Sequence, residues 1–366
     1  MANYELTKLA ANILCPGNVV QTDDAGLPSV LVYIPKFKNS DVLAGGDDST
    51  HPAFIVNGKE IPGFYYSKYQ NVVHNGAAYS LAGEDPHSGL HFDNALAHCE
   101  AKGPGWHLST AAEWAAIALW CKKNGFLPYG NNQNGKDSRE SNVRAVPSTN
   151  DKDGNIEKVK TGTGPITWSH DGTPSGVWDM NGNLFEWQGG IRIVWGELQI
   201  LPNNDAADTD NPQNSTSTCW KAINAADGSL VEPESKTTDA SGHTSGNTVK
   251  LDYVNSTWTY SAAITNANDS PTLNSFIKLN CDNTISDAAK VLLRALALLP
   301  DEGEAYDYGA DYAYWNNGRA EMHVIRGGHW FMKAGGGIFS IYGASARNNA
   351  GLTNGFRAAY IPEIGQ

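Results

Sequence analysis

The chain has 366 residues, of which 40% are hydrophobic and 18% are charged. This balance excludes a disordered or fibrous protein. The net charge of −13 argues against nucleic acid or an anionic membrane as the main partner, because both require a basic surface. No apolar run approaches the roughly 18 residues of a membrane span, so we expect no membrane insertion. The N-terminus also lacks the charged and apolar blocks of a secretory signal.

Short strands are predicted at residues 30–35, at residues 54–56 and in a segment that begins at Gly63. A helix is then predicted over residues 93–102. A second helix begins at Thr110, where Thr110 and Glu113 form a capping box, and it ends at Gly125. Its apolar residues recur every three or four positions, which is typical of a helix that packs against a core.

Residues 203–285 are rich in Asn, Asp, Ser, Thr and Gly, and we interpret them as a long polar insertion rather than a separate domain. A third helix is predicted over residues 286–299, with Ser286 at its start and Pro300 beyond its end. Strand and loop patterns return in the last 60 residues. The pattern predicts an α+β fold in which residues 1–49 pack on a main domain of residues 50–366.

Three separated segments carry recognisable motifs. They read GWHLSTAAEW at 105–114, GVWDMNGNLFEW at 176–187, and RGGHW at 326–330 followed by GFR at 355–357. These strings are similar to G-x-R-L-P-T-E-A-E-W, G-L-x-D-M-x-G-N-V-W-E-W, and R-G-G-S-W with G-F-R. In this order they resemble the formylglycine-generating enzyme (sulfatase-modifying factor) family. The resemblance covers most of residues 50–360 and implies a variant C-type lectin fold.

The catalytic chemistry of that family depends on two cysteines shortly after R-G-G-S-W, which bind copper and activate oxygen. By register, Met332 and Gly337 occupy those positions here, and no cysteine follows Cys281. Neither residue can supply a thiolate nucleophile or a thiolate copper ligand. We therefore expect the fold without the oxidase activity, and no catalytic residue is predicted. No cofactor is required by this interpretation.

The C-terminal stretch also resembles the variable region of proteins diversified by retroelements. Such regions read R-G-G-x-W, G-x-F-x-L, A-R and G-F-R, and residues 326–360 contain each element in turn. The intervening, potentially variable ligand-binding positions are His329, Phe331, Met332, Lys333, Gly335, Tyr342, Gly343, Ala344 and Ser345. Randomising adenines in Asn codons can produce seven of these nine residues, but it cannot produce Met332 or Lys333.

This residue set resembles the palette of antibody loops, in which aromatic side chains give large rigid contacts and small polar ones adapt. Phe331 and Tyr342 are the expected anchors. Tyr312, Tyr314, Trp315 and His323 either extend the surface or pack in the core. The motif residues Trp330, Phe339, Arg347 and Phe356 are the expected scaffold. Arg326 and Arg357 are expected to pair with buried carboxylates or carbonyls.

Two segments could hold a metal ion. In the second motif, the resemblance implies a Ca²⁺ site, which would be the only cofactor. Its ligands would be Asp179, Gly182, Leu184 and Glu186. The alternative is an Asn-Gly turn in which Glu186 accepts bonds from backbone amides. His87, His91 and Asp93 have metal-like spacing, but Gly89 disfavours the helix that such a site needs.

The sequence therefore predicts a ligand-binding protein with a hypervariable C-terminal surface. Its partner would be a protein or glycan on the surface of a target cell, and its place a phage tail or a bacterial cell surface. Two alternatives stay open. One is a metal-dependent oxidase of the same superfamily, and the other is an invariant structural protein of a phage tail.

Overall fold

The computed structural model describes residues 4–240, 243–301, 308–362 and 364. Its α-helices are α1 (Glu5–Leu14), α2 (Asn39–Val42), α3 (Phe92–Glu100), α4 (Ala111–Lys123) and α5 (Asp287–Ala295). Short 3-10 helices cover Pro52–Phe54, Ile166–Trp168, Asp205–Ala207, Phe276–Lys278 and Lys333–Gly335. Within these ranges no helix is both long and apolar enough to cross a membrane.

The strands in the first half of the chain are β1 (Asn18–Thr22), β2 (Pro28–Pro35), β3 (Ile55–Val56), β4 (Lys59–Glu60), β5 (Gly63–Ser67), β6 (Val72–His74), β7 (Ala77–Tyr79), β8 (Trp106–Leu108), β9 (Phe185–Val194) and β10 (Glu197–Ile200). Those in the second half are β11 (Lys221–Ile223), β12 (Leu230–Val231), β13 (Ser245–Val254), β14 (Thr257–Ala263), β15 (Thr272–Ser275), β16 (Asn280–Cys281), β17 (Tyr312–Trp315), β18 (Met322–Arg326), β19 (Ile341–Ser345), β20 (Asn354–Gly355) and β21 (Ala358–Tyr360).

Most strands belong to two sheets, which confirms the predicted α+β class. The smaller sheet has the order β1-β2-β5-β21-β8, so strands from both ends of the chain lie side by side. The larger sheet has twelve strands. Its main path is β15-β17-β19-β18-β9-β10-β13-β14-β16, with β11 and β12 beside β10 and β20 beside β9.

Helix α4 is the best predicted element. The Thr110 hydroxyl accepts a hydrogen bond from the Glu113 amide, and the Glu113 carboxylate accepts one from the Thr110 amide. This is the capping box expected from the sequence. Eleven of the thirteen residues of α4 are buried, so the helix is enclosed by the core rather than lying on it. The Trp114 indole donates to the carbonyl of Ile338 at 2.8 Å, which ties α4 to the C-terminal segment.

Helix α5 is shorter than the sequence predicts, because it ends at Ala295 instead of continuing to residue 299. The backbone turns at Ala297, which has a φ of +48°. Arg326 of β18 donates from its guanidinium to the carbonyls of Leu296 (3.0 Å) and Ala297 (3.1 Å). A buried cation thus satisfies carbonyls that the helix leaves free. As predicted, Arg326 has a structural role.

The polar insertion, residues 203–285, is built into the larger sheet. Strand β13 pairs with β10, and β15 pairs with β17. Trp220, Trp258 and Tyr260 from this segment are buried. The composition conceals this role, because the buried aromatic residues are separated by long runs of Asn, Asp, Ser and Thr.

The second buried arginine connects the two sheets. Arg357 lies between β20, which pairs with β9, and β21, which pairs with β5. Its Nε donates to Glu186 of β9 at 2.7 Å, and its other nitrogens donate to the carbonyls of Ser67, Lys68 and Trp178. Both charged side chains are fully buried. The predicted pairing of Arg357 with a buried carboxylate and carbonyls is confirmed.

Replacing Arg357 with Leu should lower the free energy of unfolding by about 3–5 kcal/mol, because the Glu186 carboxylate would lose its buried partner. Urea denaturation followed by tryptophan fluorescence measures this change. Arg319→Leu is the matched control, since that arginine is half-exposed and lies 3.4 Å from Asp269. Its loss should cost less than about 1 kcal/mol. Equal effects of the two substitutions would contradict the role assigned to Arg357.

Candidate functional site

The C-terminal loop leaves β18 through two glycines. Gly327 and Gly328 have φ values of +89° and +80°, a left-handed conformation that side chains disfavour. A Cβ on Gly328 would also lie 2.7 Å from Cα of Gly336. The glycines of the RGGHW motif therefore form a tight turn, and residues 329–336 extend from it before β19 begins.

A row of apolar side chains crosses the larger sheet from the core to the solvent. Ile325 of β18 pairs with Trp187 of β9 on one side and Tyr342 of β19 on the other. Tyr314 of β17 lies between Tyr342 and Leu273 of β15. Paired residues point to the same side of a sheet. Trp187 and Ile325 are buried and the two tyrosines half-buried, while Leu273 is 42% exposed.

Ring contacts make this surface continuous. The Tyr342 ring lies 5.4 Å from that of Tyr314 and 5.8 Å from that of Phe185. Phe185 also contacts His329, with the ring centres 5.2 Å apart. Tyr314 contacts Tyr312 at 6.1 Å. These are ordinary separations for interacting aromatic side chains.

We call this surface the aromatic face. It consists of Leu273, Tyr312, Tyr314, His329, Phe331, Met332, Lys333, Tyr342 and Ala344. Phe331 is its most protruding aromatic residue, with 62% of its surface exposed. The Lys333 ammonium lies 6.0 Å from the centre of the Phe331 ring.

The aromatic face carries little charge. Burial lowers the pKa of His329 to about 4, so its imidazole is neutral at neutral pH. Burial and the neighbouring ring of Tyr314 raise the pKa of Tyr342. For Tyr314 the causes are burial and Tyr312. The hydroxyls of Tyr314 and Tyr342 are therefore uncharged, and Lys333 is the one Lys, Arg, Asp or Glu among the nine residues.

Three of the nine predicted variable residues are buried. A Cβ on Gly343 would lie 2.2 Å from the ring of Trp315, which is itself fully buried. Ser345 is also fully buried. Gly335 lies under the ring of Tyr312, 2.2 Å from where its Cβ would be. A ligand cannot reach these three positions, so they do not belong to the aromatic face.

The predicted scaffold residues lie beneath or beside the face. Phe339 and Phe356 are fully buried. The Phe339 amide donates to the Asp311 carboxylate at 2.8 Å. Arg347 is half-buried and forms an ion pair with Asp93 of α3. Trp330, by contrast, is only half-buried.

Among the four aromatic residues left open by the sequence, Tyr312 and Tyr314 lie on the face. Trp315 and His323 are fully buried. Strand alternation explains the positions of the three residues of β17, because Tyr312 and Tyr314 point to one side of the strand and Trp315 points to the other. Leu273 was not predicted, since nothing in the polar insertion marks β15 as the neighbour of β17.

Met332 and Gly337 are the positions that correspond by register to the catalytic cysteines of the formylglycine-generating enzyme family. Met332 packs against the apolar cluster that includes Phe185 and Ile325. A Cβ on Gly337 would lie 2.0 Å from the Asp311 carboxylate, so the backbone leaves no room for a side chain there. Cys99 and Cys121 are buried, and burial raises the pKa of both thiols well above the usual value.

The residues predicted to bind calcium surround an amide group. Gln70 Nε2 donates to the carbonyl oxygens of Asp179 (3.4 Å), Gly182 (3.4 Å) and Leu184 (3.0 Å). It also donates to Glu186 Oε1 at 3.0 Å. The NH₂ group thus lies at the point where these oxygens converge. Because the amide nitrogen lies 3.0–3.4 Å from all four oxygens, a calcium ion does not fit at this point.

The alternative to a calcium site was an Asn-Gly turn in which Glu186 accepts hydrogen bonds from backbone amides. Glu186 instead accepts hydrogen bonds from the side chains of Gln70 and Arg357. His91 caps α3, accepting a hydrogen bond from the Asn94 amide at 3.3 Å. Asp93 pairs with Arg347. In the described part of the chain, no group of three or more His, Cys, Asp or Glu residues is arranged to hold a metal.

Comparison with known proteins gives only distant likenesses. No family model matches the chain, and no curated protein matches it. One similar solved structure is PvdO from Pseudomonas aeruginosa, at 12% identity and a TM-score of 0.32, covering 94% of this chain and 98% of that one. The P3c and U1 variants of Major Tropism Determinant are 10% and 11% identical. Each has a TM-score of 0.28 and covers 94% of this chain and 71% of the other. Scores of this size do not establish a shared fold or function.

Calcium should not stabilise the protein, because the Gln70 amide already occupies the point where the oxygens converge. A site with a Kd of about 10 µM would add about 2.7 kcal/mol at about 1 mM calcium. Thermal unfolding with calcium and with EDTA tests this expectation. Equal melting temperatures are predicted. A melting temperature that rises when calcium is added and falls again with EDTA would show that the predicted calcium site exists.

Substitutions at two neighbouring positions on β19 should differ in their effect on stability. Gly343→Ala should lower the free energy of unfolding by about 1–3 kcal/mol, because the added methyl group overlaps Trp315. Ala344→Ser should change it by less than about 0.5 kcal/mol, since this side chain points to solvent. Chemical denaturation of both variants measures the difference. A tolerant Gly343 would contradict its placement inside the sheet.

Proposed function

We propose that this chain has a C-type lectin fold of the formylglycine-generating enzyme type and that it is a binding protein. Its aromatic face would recognise a molecule on the surface of a target cell, and a retroelement would diversify part of that face. The observation that carries the proposal is the separation of two sets of residues. Motif residues such as Phe339, Phe356 and Arg357 are buried, whereas six of the nine residues between the motifs lie together on one surface.

The chemistry of the aromatic face suits recognition of many partners. Tyrosine, phenylalanine and histidine rings provide large rigid contacts at a low cost in conformational entropy. The hydroxyls of Tyr314 and Tyr342 can donate or accept hydrogen bonds. Buried motif residues lie beneath the aromatic face, and the residues between the motifs lie at its surface. The outer side chains can therefore change while the fold is kept.

Within this proposal the face divides into a fixed and a variable part. The variable part consists of the exposed Phe331 and the half-buried His329, Tyr342 and Ala344, all of which can be produced from randomised Asn codons. Leu273, Tyr312 and Tyr314 lie outside residues 326–360 and would be the same in every copy. Every version of the surface would thus retain the same aromatic anchor.

We further propose that the chain is not an oxidase. Met332 and Gly337 support this, since neither supplies a thiolate and Gly337 has no room for one. The partner would be a protein or a glycan of the target cell. The site of action would be a phage tail or a bacterial cell surface.

A display library tests the binding role without the natural ligand. Residues His329, Phe331, Met332, Lys333, Tyr342 and Ala344 are randomised together, and folded variants are selected for binding to hen egg-white lysozyme. We expect binders from this library. A second library at Gly335, Gly343 and Ser345 should lose folded protein before selection, because these positions are buried.

Each selected binder then receives a substitution in the fixed part of the face. Tyr314→Ala should weaken the affinity for lysozyme by about tenfold, because Tyr314 lies within the contact area. Lys152→Ala, at an exposed lysine that does not belong to the aromatic face, is the control and should have no effect. The proposed function would be contradicted if the library yields no lysozyme binders, or if Tyr314→Ala leaves the affinity of the binders unchanged.

A further inference from the structure

One buried lysine of this chain, Lys68, is bonded to neutral groups rather than to a carboxylate. Lysine is almost never fully buried unless its charge is paired. Four other lysines in the described part of the chain are buried, and each forms an ion pair: Lys102 with Asp23, Lys122 with Asp301, Lys158 with Asp85 and Lys250 with Glu234. Lys68 is 3% exposed, and its Nζ contacts an amide and a carbonyl instead.

The amide belongs to the side chain of Asn18. Nζ of Lys68 donates to Oδ1 of Asn18 and, at 2.6 Å, to the carbonyl of Pro174. The Asn18 amide is also held from its other end, because Nδ2 donates to the carbonyl of Ser175 at 2.5 Å. Asn18 is 2% exposed, so both ends of this contact lie inside the protein. The amine of Lys68 is thus fixed beside the carboxamide of Asn18.

Burial favours the uncharged form of this amine. It lowers the pKa of Lys68, while Cys15 and Asp171 act in the opposite direction. A lysine amine that has lost its proton through desolvation is a nucleophile. A nucleophile that is held against a carbonyl group also gains the rate advantage of a reaction within one molecule.

We propose that Lys68 and Asn18 form an intramolecular isopeptide bond. Nζ of Lys68 attacks Cγ of Asn18, so that a bond from Nζ to Cγ forms and the bond from Cγ to Nδ2 breaks. The proton that Nζ gives up moves to Nδ2, which leaves as ammonia. One amide replaces another, and therefore the reaction consumes no oxidant, reductant or cofactor.

The loop that holds the two side chains also offers a proton carrier and an exit. Asp171 precedes Pro174 and Ser175 in this loop, and its charge acts on Lys68. It is the carboxylate that can carry the proton from one nitrogen to the other. Asp171 and Ser175 line a cleft of about 440 Å³. Since Nδ2 of Asn18 is bonded to the Ser175 carbonyl, the ammonia is released beside this cleft.

The bond would join two strands that do not pair with each other. Asn18 begins β1 and Lys68 directly follows β5, and β2 lies between these strands in the smaller sheet. Strand β1 is at the edge of that sheet. A covalent link across β2 would hold the edge strand in place and close a loop in the unfolded chain. Neither residue belongs to the aromatic face, so the inference does not depend on the proposed binding function.

Mass spectrometry of the intact, denatured chain tests the proposal. The wild-type mass should be lower than the mass of its sequence by one molecule of ammonia, and a digest should contain a branched peptide that joins residues 18 and 68. Lys68→Met should have the full mass of its own sequence, because the nucleophile is gone. Lys59→Met, at an exposed lysine of β4, is the matched control and should still lose ammonia.

A wild-type chain with the full mass of its sequence would overturn the proposal. A loss of ammonia that persists in Lys68→Met would also overturn it, because the ammonia would then come from cyclisation of another asparagine. If Lys68→Met does not fold, the digest of the wild type decides, and the absence of the branched peptide refutes the bond.

Asp171→Asn tests the proton carrier separately. This variant should contain a fraction of chains without the bond, which the same mass measurement detects. Complete bond formation in Asp171→Asn would exclude Asp171 from this role.

Discussion

The ion pair between Glu186 and Arg357 is the interaction on which the rest of the structure depends. Glu186 belongs to the larger sheet, and Arg357 directly precedes β21 of the smaller one. The guanidinium also binds carbonyls of β5 and of residue 178, so one buried group fixes the relative position of both sheets. A buried charge pair of this kind requires nearly perfect hydrogen bonding, because desolvation costs several kcal/mol per ion. Here that requirement is met by a carboxylate and three carbonyls.

Gln70 extends the same network. Its amide nitrogen binds Glu186 and three backbone carbonyls, and its oxygen accepts a hydrogen bond from Asn183 at 2.9 Å. A neutral amide thus lies where the resemblance predicts a calcium ion. The Arg357 cation already pairs with Glu186, so this carboxylate is not available to neutralise a divalent ion. This network holds β9 in place, and β9 supports the row of side chains that ends in the aromatic face.

The sequence predicted features whose causes are local. The capping box at Thr110 and the structural roles of Arg326 and Arg357 follow from short motifs, and they were found correctly. The burial of Gly343 was missed, because it depends on Trp315 of a strand 28 positions earlier in the chain. Leu273 and the end of α5 were missed for the same reason. Each depends on a strand pairing or a contact with Arg326 that has no signature in the neighbouring residues.

The central claim is that residues 329–345 vary on a fixed scaffold, and sequencing codons 326–360 in many copies of this gene from its source population tests it most directly. Substitutions should concentrate at the codons for His329, Phe331, Tyr342 and Ala344. The codons for Trp330, Phe339 and Phe356 should be constant, as should that for Gly343, which the structure places against Trp315. A stretch as uniform as the rest of the gene, or substitutions that fall on the buried scaffold, would contradict the account.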